Sequence, residues 1–358
     1  MKIIEYLIKL FQILIAILFL FSNKTVKRLD LPNTKIWLKN FRRNFRKTLS
    51  SRACLMVCRK LKEFRESDIY IEKESGFKNN KNLIVICVIR NDIDRLKVFL
   101  EHYRKLRVNQ FAFFDDKSTD GTREFLQEQN DVELFLNSKD FTSRRKVVWI
   151  NRILAYYGFN RWYLVVDSDE LLVYDDFENR PLTQFVNLLG EENITAASGM
   201  LIDLYPKESN SNHAKNKRIY DSIDYFDKNG YFQNKNAMIS GGMRYRSFNI
   251  LATLEKTPLF FLDNKTIFDH HRLFPFEKNF QKDRKHIALL HYKFLLTDYE
   301  RYQERVDRNC MASNSKEYKV YVKKMDKTTS SMNFYDENIS KKFTGSYSLI
   351  ENNLMDRL

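Results

Sequence analysis

The sequence contains little glycine and little cysteine, and each shortage argues against a class of binding site. Only 9 of the 358 residues are glycine, and none forms a G-x-G-x-x-G or P-loop motif, so a phosphate group would have to be bound by other means. The four cysteines are Cys54, Cys58, Cys87 and Cys310. They form no C-x-x-C pair and have no histidine at zinc spacing, which argues against a zinc site. Cys87 lies in an apolar run typical of a buried strand, which favours a reducing compartment.

A nucleic-acid-binding surface is also poorly supported, although the formal net charge is +15. Fourteen basic and two acidic residues fall between Lys24 and Arg65, so this segment carries +12 of the charge and the rest of the chain only +3. Because the remainder is almost balanced, the pI does not indicate a general nucleic-acid surface. We therefore expect no nucleic-acid partner. A peripheral RNA-binding protein that uses residues 24–65 is the alternative.

The first 22 residues are predicted to be a hydrophobic membrane anchor. They are rich in Ile, Leu and Phe, but the uninterrupted apolar run extends only from Ile13 to Phe21, whereas a bilayer span needs about 20 residues. A helix would place Lys2, Glu5 and Lys9 on one stripe, which suits an interfacial helix or a span packed against a partner. No small-x-small motif follows the segment, which argues against a cleaved signal peptide.

Residues 23–80 are predicted to be a basic amphipathic segment beside the membrane. Apolar residues recur there at intervals of four: Trp37, Phe41, Phe45 and Leu49. With cations between them, this face would lie on an anionic membrane surface, although it could equally pack on the catalytic domain. The positive charge after the anchor predicts a cytoplasmic domain at the inner membrane. Three glycosylation sequons keep a lumenal location open: Asn193, Asn264 and Asn338.

Residues 81–310 are predicted to form one α/β domain, followed by a polar C-terminal extension, 311–358, with no assigned role. Apolar strands are predicted at Leu83–Ile89, Phe111–Phe114, Val132–Leu136 and Trp162–Val166. Helices are predicted between them at Ile93–Leu106, Thr122–Gln129 and Arg144–Tyr157. Repeated β-α units with apolar strands indicate a mostly parallel central sheet flanked by helices on both faces. A ligand should therefore bind at the carboxyl ends of the strands.

The most informative motif is WYLVVDSDELLVY, in which three acidic residues follow an apolar strand. Asp167, Asp169 and Glu170 would lie at the carboxyl end of that strand, where carboxylates so close together repel one another unless a cation separates them. A divalent metal, Mn²⁺ or Mg²⁺, held by Asp167 and Asp169 and completed by substrate phosphates, would meet that need. An acidic turn at the surface is the alternative.

Two further strands also end in polar residues. FAFFDDKSTDGT places Asp115 and Asp116 after a buried strand, where they could bind a base or ribose. CVIRND places Arg90 and Asn91 after another, with Arg90 suited to a phosphate or a neighbouring acid. The STDGT half is also what a plain turn and helix start would contain. Asp92 is as well explained as a helix cap.

The order and spacing of these blocks resemble the family 2-like glycosyltransferases. Members of that family read roughly R-N-E, then L-x-x-x-L-x-H-Y, then D-N-x-S-x-D-G-T, and this chain has RNDIDRLKVFLEHYRKLRVNQFAFFDDKSTDGT. Their metal-binding D-x-D strand end is similar to WYLVVDSDELLVY, and later blocks are similar to GGMRYRSF, EKTPLF and ALLHYKF. The resemblance extends from about Leu83 to Arg308. Asp92, where the family often has Glu, and Lys117, where small residues are common, depart from the pattern.

The resemblance implies a GT-A fold and a metal-dependent, inverting, hexosyltransferase-like enzyme. Such an enzyme moves a sugar from a nucleotide-sugar donor to a glycan or lipid-linked acceptor, and with membrane attachment this suggests cell-surface polysaccharide or lipopolysaccharide synthesis. By position, Asp115 would contact the nucleoside, Asp167 would lie near the ribose and the metal, and Asp169 would bind the metal. An inverting displacement also needs a carboxylate base, for which Glu170 and Asp203 are the candidates.

The later half of the chain offers further candidates. His271 in FDHHRLF and His291 in ALLHYKF could complete the metal site, although a histidine in such apolar surroundings is often a packed core residue. Arg244 and Arg246 alternate with Tyr245 in a stretch that resembles a strand, which would point both guanidinium groups to one face. There they could bind a diphosphate or an acidic acceptor, or form a solvated strand face.

Two other readings of the domain compete with a glycosyltransferase. A nucleotidyltransferase would share the sheet and the metal, but it normally has a Gly-rich phosphate loop, which this sequence lacks. A catalytically inactive, membrane-associated scaffold could use the same fold. Retention of both acids in DSDE argues against a scaffold.

Overall fold

The computed structural model describes residues 69–208, 220, 222–233, 238–274, 278–279, 287–295, 298–325 and 333–358. The predicted membrane anchor and the basic residues 24–65 lie outside these ranges. Within them, no helix combines the length and the apolar character that crossing a bilayer requires.

The predicted alternation of strands and helices along residues 83–166 is confirmed. The strands are β1 (Ile69–Lys73), β2 (Ile84–Ile89), β3 (Phe111–Asp115), β4 (Val132–Asn137), β5 (Arg161–Val165), β6 (Glu170–Tyr174), β7 (Ala196–Asp203), β8 (Tyr225–Asp227), β9 (Tyr231–Gln233), β10 (Ile239–Gly241), β11 (Glu255–Leu262), β12 (Ile267–Asp269), β13 (Arg272–Phe274), β14 (Ile287–His291) and β15 (Ser340–Lys342). The helices are α1 (Ile93–Lys105), α2 (Thr122–Gln127), α3 (Ser143–Tyr157), α4 (Leu182–Glu191), α5 (Gly242–Phe248), α6 (Asp298–Asp307), α7 (Ala312–Lys324) and α8 (Ser346–Ile350). A 3₁₀ turn covers Phe77–Asn79.

Nine strands form one sheet in the order β1-β4-β3-β2-β5-β11-β7-β14-β6. Their pairing makes β2, β3, β4, β5, β7 and β14 run in one direction, while β1, β6 and β11 run in the other. The sheet is therefore mixed but mostly parallel, which confirms the predicted α/β class. From β2 the chain continues to one side through β3 and β4, and then returns to the other side as β5. The crevice between the ends of β2 and β5 is thus a topological switch point, where α/β sheets bind ligands.

Helices cover both faces of the sheet, as strands with two buried faces require. On one face, α1 buries apolar residues at helical spacing: Leu96, Phe99, Leu100 and Tyr103. On the other, α3 is capped by Thr142, whose side chain accepts a hydrogen bond from the Arg145 amide at 3.1 Å. Trp149 of α3 stacks on Phe114 of β3, with 4.3 Å between ring centroids. Both layers fix the strand ends from which the site is built.

The stretch around Arg244 is a helix, so the prediction of a strand there was wrong. Gly241, with a φ of 116°, lies so close to Gly230 that a side chain would clash, and α5 begins at the next residue. Because residues two apart on a helix point about 200° away from each other, Arg244 and Arg246 do not share a face. A three-residue alternation was too short to distinguish the two conformations.

The sheet and its surroundings extend beyond the boundaries expected at residues 81 and 310. At the N-terminal side, β1 pairs antiparallel with β4, so the sheet begins at Ile69. Beyond residue 310, α7 buries Tyr318 and Tyr321 against α5 and α6, and β15 pairs with β8. Much of the predicted polar extension therefore packs on the domain.

His102 of α1 gives the fold a pH dependence that can be measured. Its Nε2–H donates to the Leu172 carbonyl at 2.8 Å, and burial lowers the pKa of His102 to about 4. The unfolded chain therefore takes up a proton first as the pH falls, so stability is lost from about pH 6.5 down to the folded pKa. Between pH 7 and pH 4.5 this amounts to about 2–3 kcal/mol. In urea unfolding, the free energy of unfolding of His102→Gln should fall less than that of the wild type between pH 7 and pH 4.5, by that amount. His270→Gln, which changes an exposed histidine, should follow the wild type. Parallel profiles for all three proteins would contradict this assignment.

Candidate active site

Residues that follow the parallel strands meet in one cleft at the switch point. It is lined by the ends of β2 and β3, the turn between β5 and β6, the residues after β14, and α6. The space within the cleft, including the part open to solvent, is about 780 Å³. The cleft lies at the carboxyl ends of these strands, where the ligand site is predicted.

The acidic motif forms a tight turn that connects β5 directly to β6. The Glu170 amide donates to the Asp167 carbonyl at 3.1 Å, and the Asp167 amide donates to Glu170 Oε2 at 3.0 Å. The Asp169 carbonyl accepts from the Tyr292 amide at 2.8 Å, which ties the turn to the end of β14. Three carboxyl groups are therefore held in fixed positions next to a neighbouring strand.

His291 lies beside Asp169 because of the strand register. It pairs with Glu170 of β6 on one side and with Asp203 of β7 on the other. His291 Nδ1 is 2.6 Å from Asp203 Oδ1, and Nε2 is 3.6 Å from Asp169 Oδ2. A carboxylate on Nδ1 favours the tautomer with the proton there, which leaves the Nε2 lone pair facing Asp169.

Asp169, Glu170 and His291 each offer one ligand atom, and these atoms lie within 4.8 Å of one another, a spacing that could hold a metal ion. Oxygen ligands with one imidazole suit Mn²⁺ better than a softer, thiolate-bound metal. Asp169 and His291 were both predicted as ligands. The group does not include Asp167 or His271, so the structure brings together only part of the predicted ligand set.

Asp167 is instead held by two lysines. Lys146 of α3 contacts Asp167 Oδ1, and Lys256 of β11 lies 3.2 Å from Oδ2 while also contacting Glu170 Oε1. Burial opposes ionisation of Asp167, but Lys146 and Lys256 outweigh it and hold the pKa well below its usual value. Burial raises the pKa of Glu170 despite Lys256. Burial and Lys256 together lower the pKa of His271, so that imidazole is neutral.

Neither predicted base lies on the surface of the cleft. Glu170 is 1% exposed and Asp203 is 4% exposed, and neither is among the residues that line it. Asp203 is hydrogen-bonded through both oxygens, to His291 and to Arg244 Nε at 2.7 Å. Burial opposes its ionisation, yet Arg244 and His291 lower the pKa of Asp203 to about 2. These contacts suit a residue that orients His291. Which carboxylate is the catalytic base stays a prediction.

Some polar residues at the ends of β2 and β3 stabilise the turn after β3, and others line the cleft. Asn91 Oδ1 accepts from the Thr119 amide at 2.8 Å, and buried Asp115 accepts from Arg123 Nη2 at 2.8 Å, so both hold the turn. Arg90 and Asp116 line the cleft. Arg90 Nη1 donates to the Asp116 carbonyl at 2.7 Å.

The two arginines of α5 have separate partners. Arg244 is buried and pairs with Asp203, while Arg246 Nη2 lies 2.8 Å from Asp227 Oδ1. Neither of them lines the cleft. Their contact with a nucleotide or an acceptor stays a prediction. Arg244 is linked to His291 indirectly, because Asp203 contacts both residues.

Several basic residues of the site were not predicted. They are Lys146, Lys256, Lys293, Arg301, Arg305 and Arg308. Arg301, Arg305 and Arg308 recur at i, i+4 and i+7, a helical spacing that places them on one side of α6 and of the turn that follows it. That spacing was visible in the sequence, but nothing local to it indicated that α6 packs over the ends of β2 and β3.

The sequence was compared with models of known protein families and with curated proteins. No family model matches it, and no curated protein matches it.

Proposed function

We propose that the protein is a metal-dependent glycosyltransferase with a GT-A fold, which moves a sugar from a nucleotide-sugar donor to a glycan or lipid-linked acceptor. The observation that carries this proposal is the grouping of Asp169, Glu170 and His291 where the turn between β5 and β6 meets the end of β14, beside the switch-point cleft. Two carboxylates and an oriented imidazole suit Mn²⁺, or Mg²⁺ with additional oxygen ligands. The motif resemblance, read on the same residues, supports the same reaction.

The charge of the cleft suits a diphosphate. Basic side chains outnumber the acidic ones in its lining by six to five: Arg90, Lys146, Lys293, Arg301, Arg305 and Arg308, against Asp92, Asp116, Asp167, Asp169 and Glu304. A nucleoside diphosphate leaves with developing negative charge, and fixed cations in a sheltered site stabilise that charge without reorganisation. The basic side chains of the cleft would bind the phosphates in place of the Gly-rich loop that the sequence lacks. Cell-surface polysaccharide or lipopolysaccharide synthesis would be the setting for such a transfer.

In the proposed reaction an acceptor hydroxyl attacks the anomeric carbon. The bond between that carbon and the diphosphate oxygen breaks, and the hydroxyl proton passes to a carboxylate base. Asp169 and His291 would hold the metal, which when bound would neutralise charge on the leaving diphosphate. Asp203 would hold His291 in the tautomer whose Nε2 is free to bind. An attack from the face opposite the leaving group would invert the anomeric centre.

Binding of nucleotide sugars tests the proposal without knowledge of the acceptor. The full-length protein would be melted with UDP-, GDP-, dTDP- and CMP-linked sugars, each with Mn²⁺, with Mg²⁺ and with EDTA. A ligand at 100 times its Kd adds about 2.7 kcal/mol of stability. We expect one nucleotide class to raise the Tm only when the metal is present. A flat response to every donor would contradict the proposed function.

Asp203→Asn is expected to weaken metal binding without contacting the metal. The amide cannot supply the negative charge that fixes the His291 ring, and loss of such a partner typically lowers metal affinity about 10–100-fold. Titration with Mn²⁺ would measure the change. Asp227→Asn is the matched control, because Asp227 is equally buried and also pairs with an arginine of α5. Equal Mn²⁺ affinities in all three proteins would mean that Asp203 does not position His291.

We also propose that the protein is attached to an anionic membrane surface with its catalytic domain in the cytoplasm. The support is the apolar segment 1–22 and the basic segment that follows it. Flotation of the full chain with vesicles containing phosphatidylglycerol should fall when Arg42, Arg43, Arg46 and Lys47 are changed to Gln, and should fall with salt. Binding to neutral vesicles as strong as to anionic ones would contradict the role of these cations.

A further inference from the structure

We propose that Lys293 and Arg305 form a phosphate-binding subsite beside Asp169 and His291. The source of the phosphate, a donor diphosphate or a phosphate on a lipid-linked acceptor, rests on the proposed function, whereas the anion-binding chemistry does not. Both side chains line the switch-point cleft together with Asp169 and His291. Lys293 comes from the residues after β14 and Arg305 from α6, and these two segments converge there.

Arg305 differs from the arginines on either side of it. Arg301 Nη2 lies 2.5 Å from Asp92 Oδ1, and Arg308 Nη2 lies 3.2 Å from Asp116 Oδ2. Arg305 Nη1 donates to the Tyr318 hydroxyl at 2.6 Å, and among the described residues no carboxylate lies within 4 Å of its guanidinium. A guanidinium has five N–H groups, so most of them are available to a ligand.

Lys293 is 7% exposed and lies two residues beyond His291. Its Nζ is 5.1 Å from the centre of the Tyr318 ring and 3.7 Å from Glu317 Oε1, a carboxylate that it shares with Arg244. In the described part of the chain, no acceptor is within hydrogen-bonding distance of Nζ.

The two cations are held over the same aromatic ring. Arg305 lies 4.9 Å from the centre of the Tyr318 ring, and Lys293 lies 5.1 Å from it. Tyr318 thus contacts two like charges in the same part of the cleft, and an anion bound between them would offset their repulsion. A phosphate has oxygens enough to accept hydrogen bonds from both groups at once, and charge-assisted bonds of this kind are among the strongest in proteins.

Inorganic pyrophosphate in EDTA is the direct probe, because it needs neither a nucleoside nor a metal. Calorimetric titration should give wild-type binding that falls at least about tenfold in Lys293→Met and in Arg305→Gln. Arg305→Lys and Lys293→Arg, which keep the charge, should retain more of the affinity. Lys105→Met and Arg104→Gln, on the exposed side of α1, should bind like the wild type. Unchanged affinity in both site variants would overturn the proposal.

Folding is checked separately, by comparing the Tm of each variant without ligand. If Lys293→Met does not fold, the charge-keeping pair and Arg305→Gln still decide the outcome. Binding must also weaken with salt, as an interaction between charges does. A wild-type protein that binds no pyrophosphate at low salt would equally overturn the subsite.

Two further ligands distinguish the sources of the phosphate. If the donor supplies it, UDP and GDP should lose affinity in the variants far more than UMP and GMP do. If the acceptor supplies it, nucleotide affinities stay unchanged and a short-chain polyprenyl phosphate loses affinity instead. Either result supports the subsite. If no nucleotide sugar binds while pyrophosphate binding still depends on Lys293 and Arg305, the proposed function fails and the subsite stands.

Discussion

Asp169→Asn is expected to reduce metal-dependent sugar transfer by at least about 100-fold. The change removes one negative charge from the group formed with Glu170 and His291, and the amide oxygen that replaces the carboxylate is a weaker ligand for a hard cation. Burial disfavours ionisation of Asp169, yet the positive charges of His291 in its protonated form and of Arg95 lower its pKa well below the usual value. The carboxylate is therefore available to a metal at every physiological pH.

The substitution should lower the affinity for the metal, and the loss of turnover should follow from that loss of affinity. Titration of Mn²⁺ into Asp169→Asn should show a large loss of affinity, and hydrolysis or transfer of the donor identified by thermal stabilisation should fall with it. Asp94→Asn is the matched control, because Asp94 is an exposed carboxylate on α1 outside the cleft. If Asp169→Asn keeps wild-type turnover with Mn²⁺, Asp169 is not a ligand of the metal.

The features that the sequence predicted correctly depend on residues that are close together in the chain. The strands β2, β3 and β5 were visible as apolar runs, and the polar residues after them had to share one edge because parallel strands present their carboxyl ends together. Asp167 and Asp169 were therefore placed correctly from one strand and the residues that follow it. No knowledge of the rest of the fold was needed for that step.

What the sequence could not predict depends on pairing between distant segments. His291 reaches Asp169 only because β14 lies between β7 and β6, and an insertion of that kind leaves no periodic signal in β14 itself. The same register brings Asp203 to His291, so a residue predicted as a base lies behind an imidazole. Lys256 reaches the acidic turn from β11, an antiparallel strand within a mostly parallel sheet.

The acidic turn is therefore contacted by basic residues from three directions. Lys146 comes from α3, Lys256 from β11, and His291 from β14. Only Asp169 of the three acidic residues has no lysine or arginine within ion-pair distance among the described residues. This difference in charge balance favours Asp169 and His291 over Asp167 as ligands of the proposed metal, although the motif alone favoured Asp167 equally.

Lys256→Met is expected to lower the free energy of unfolding by about 3–5 kcal/mol. Lys256 is 7% exposed and is the lysine that contacts Glu170, which is 1% exposed. Removing the ammonium leaves an uncompensated carboxylate in the core, whereas Asp167 still has Lys146. For a domain of this size the Tm should fall by roughly 10 °C. Lys105→Met, which removes an exposed ion pair with Glu101, should change stability by less than about 0.5 kcal/mol.

A double variant separates the lost charge pair from lost packing. In Lys256→Met/Glu170→Gln the buried negative charge is absent, so much of the stability should return and the two changes should couple by more than about 1 kcal/mol. Strict additivity would mean that Lys256 stabilises the sheet through its methylene groups rather than through Glu170. Because Glu170 shares the turn with Asp169, the same double variant should also bind Mn²⁺ less tightly than the wild type, which would connect the stability of the turn to the proposed site.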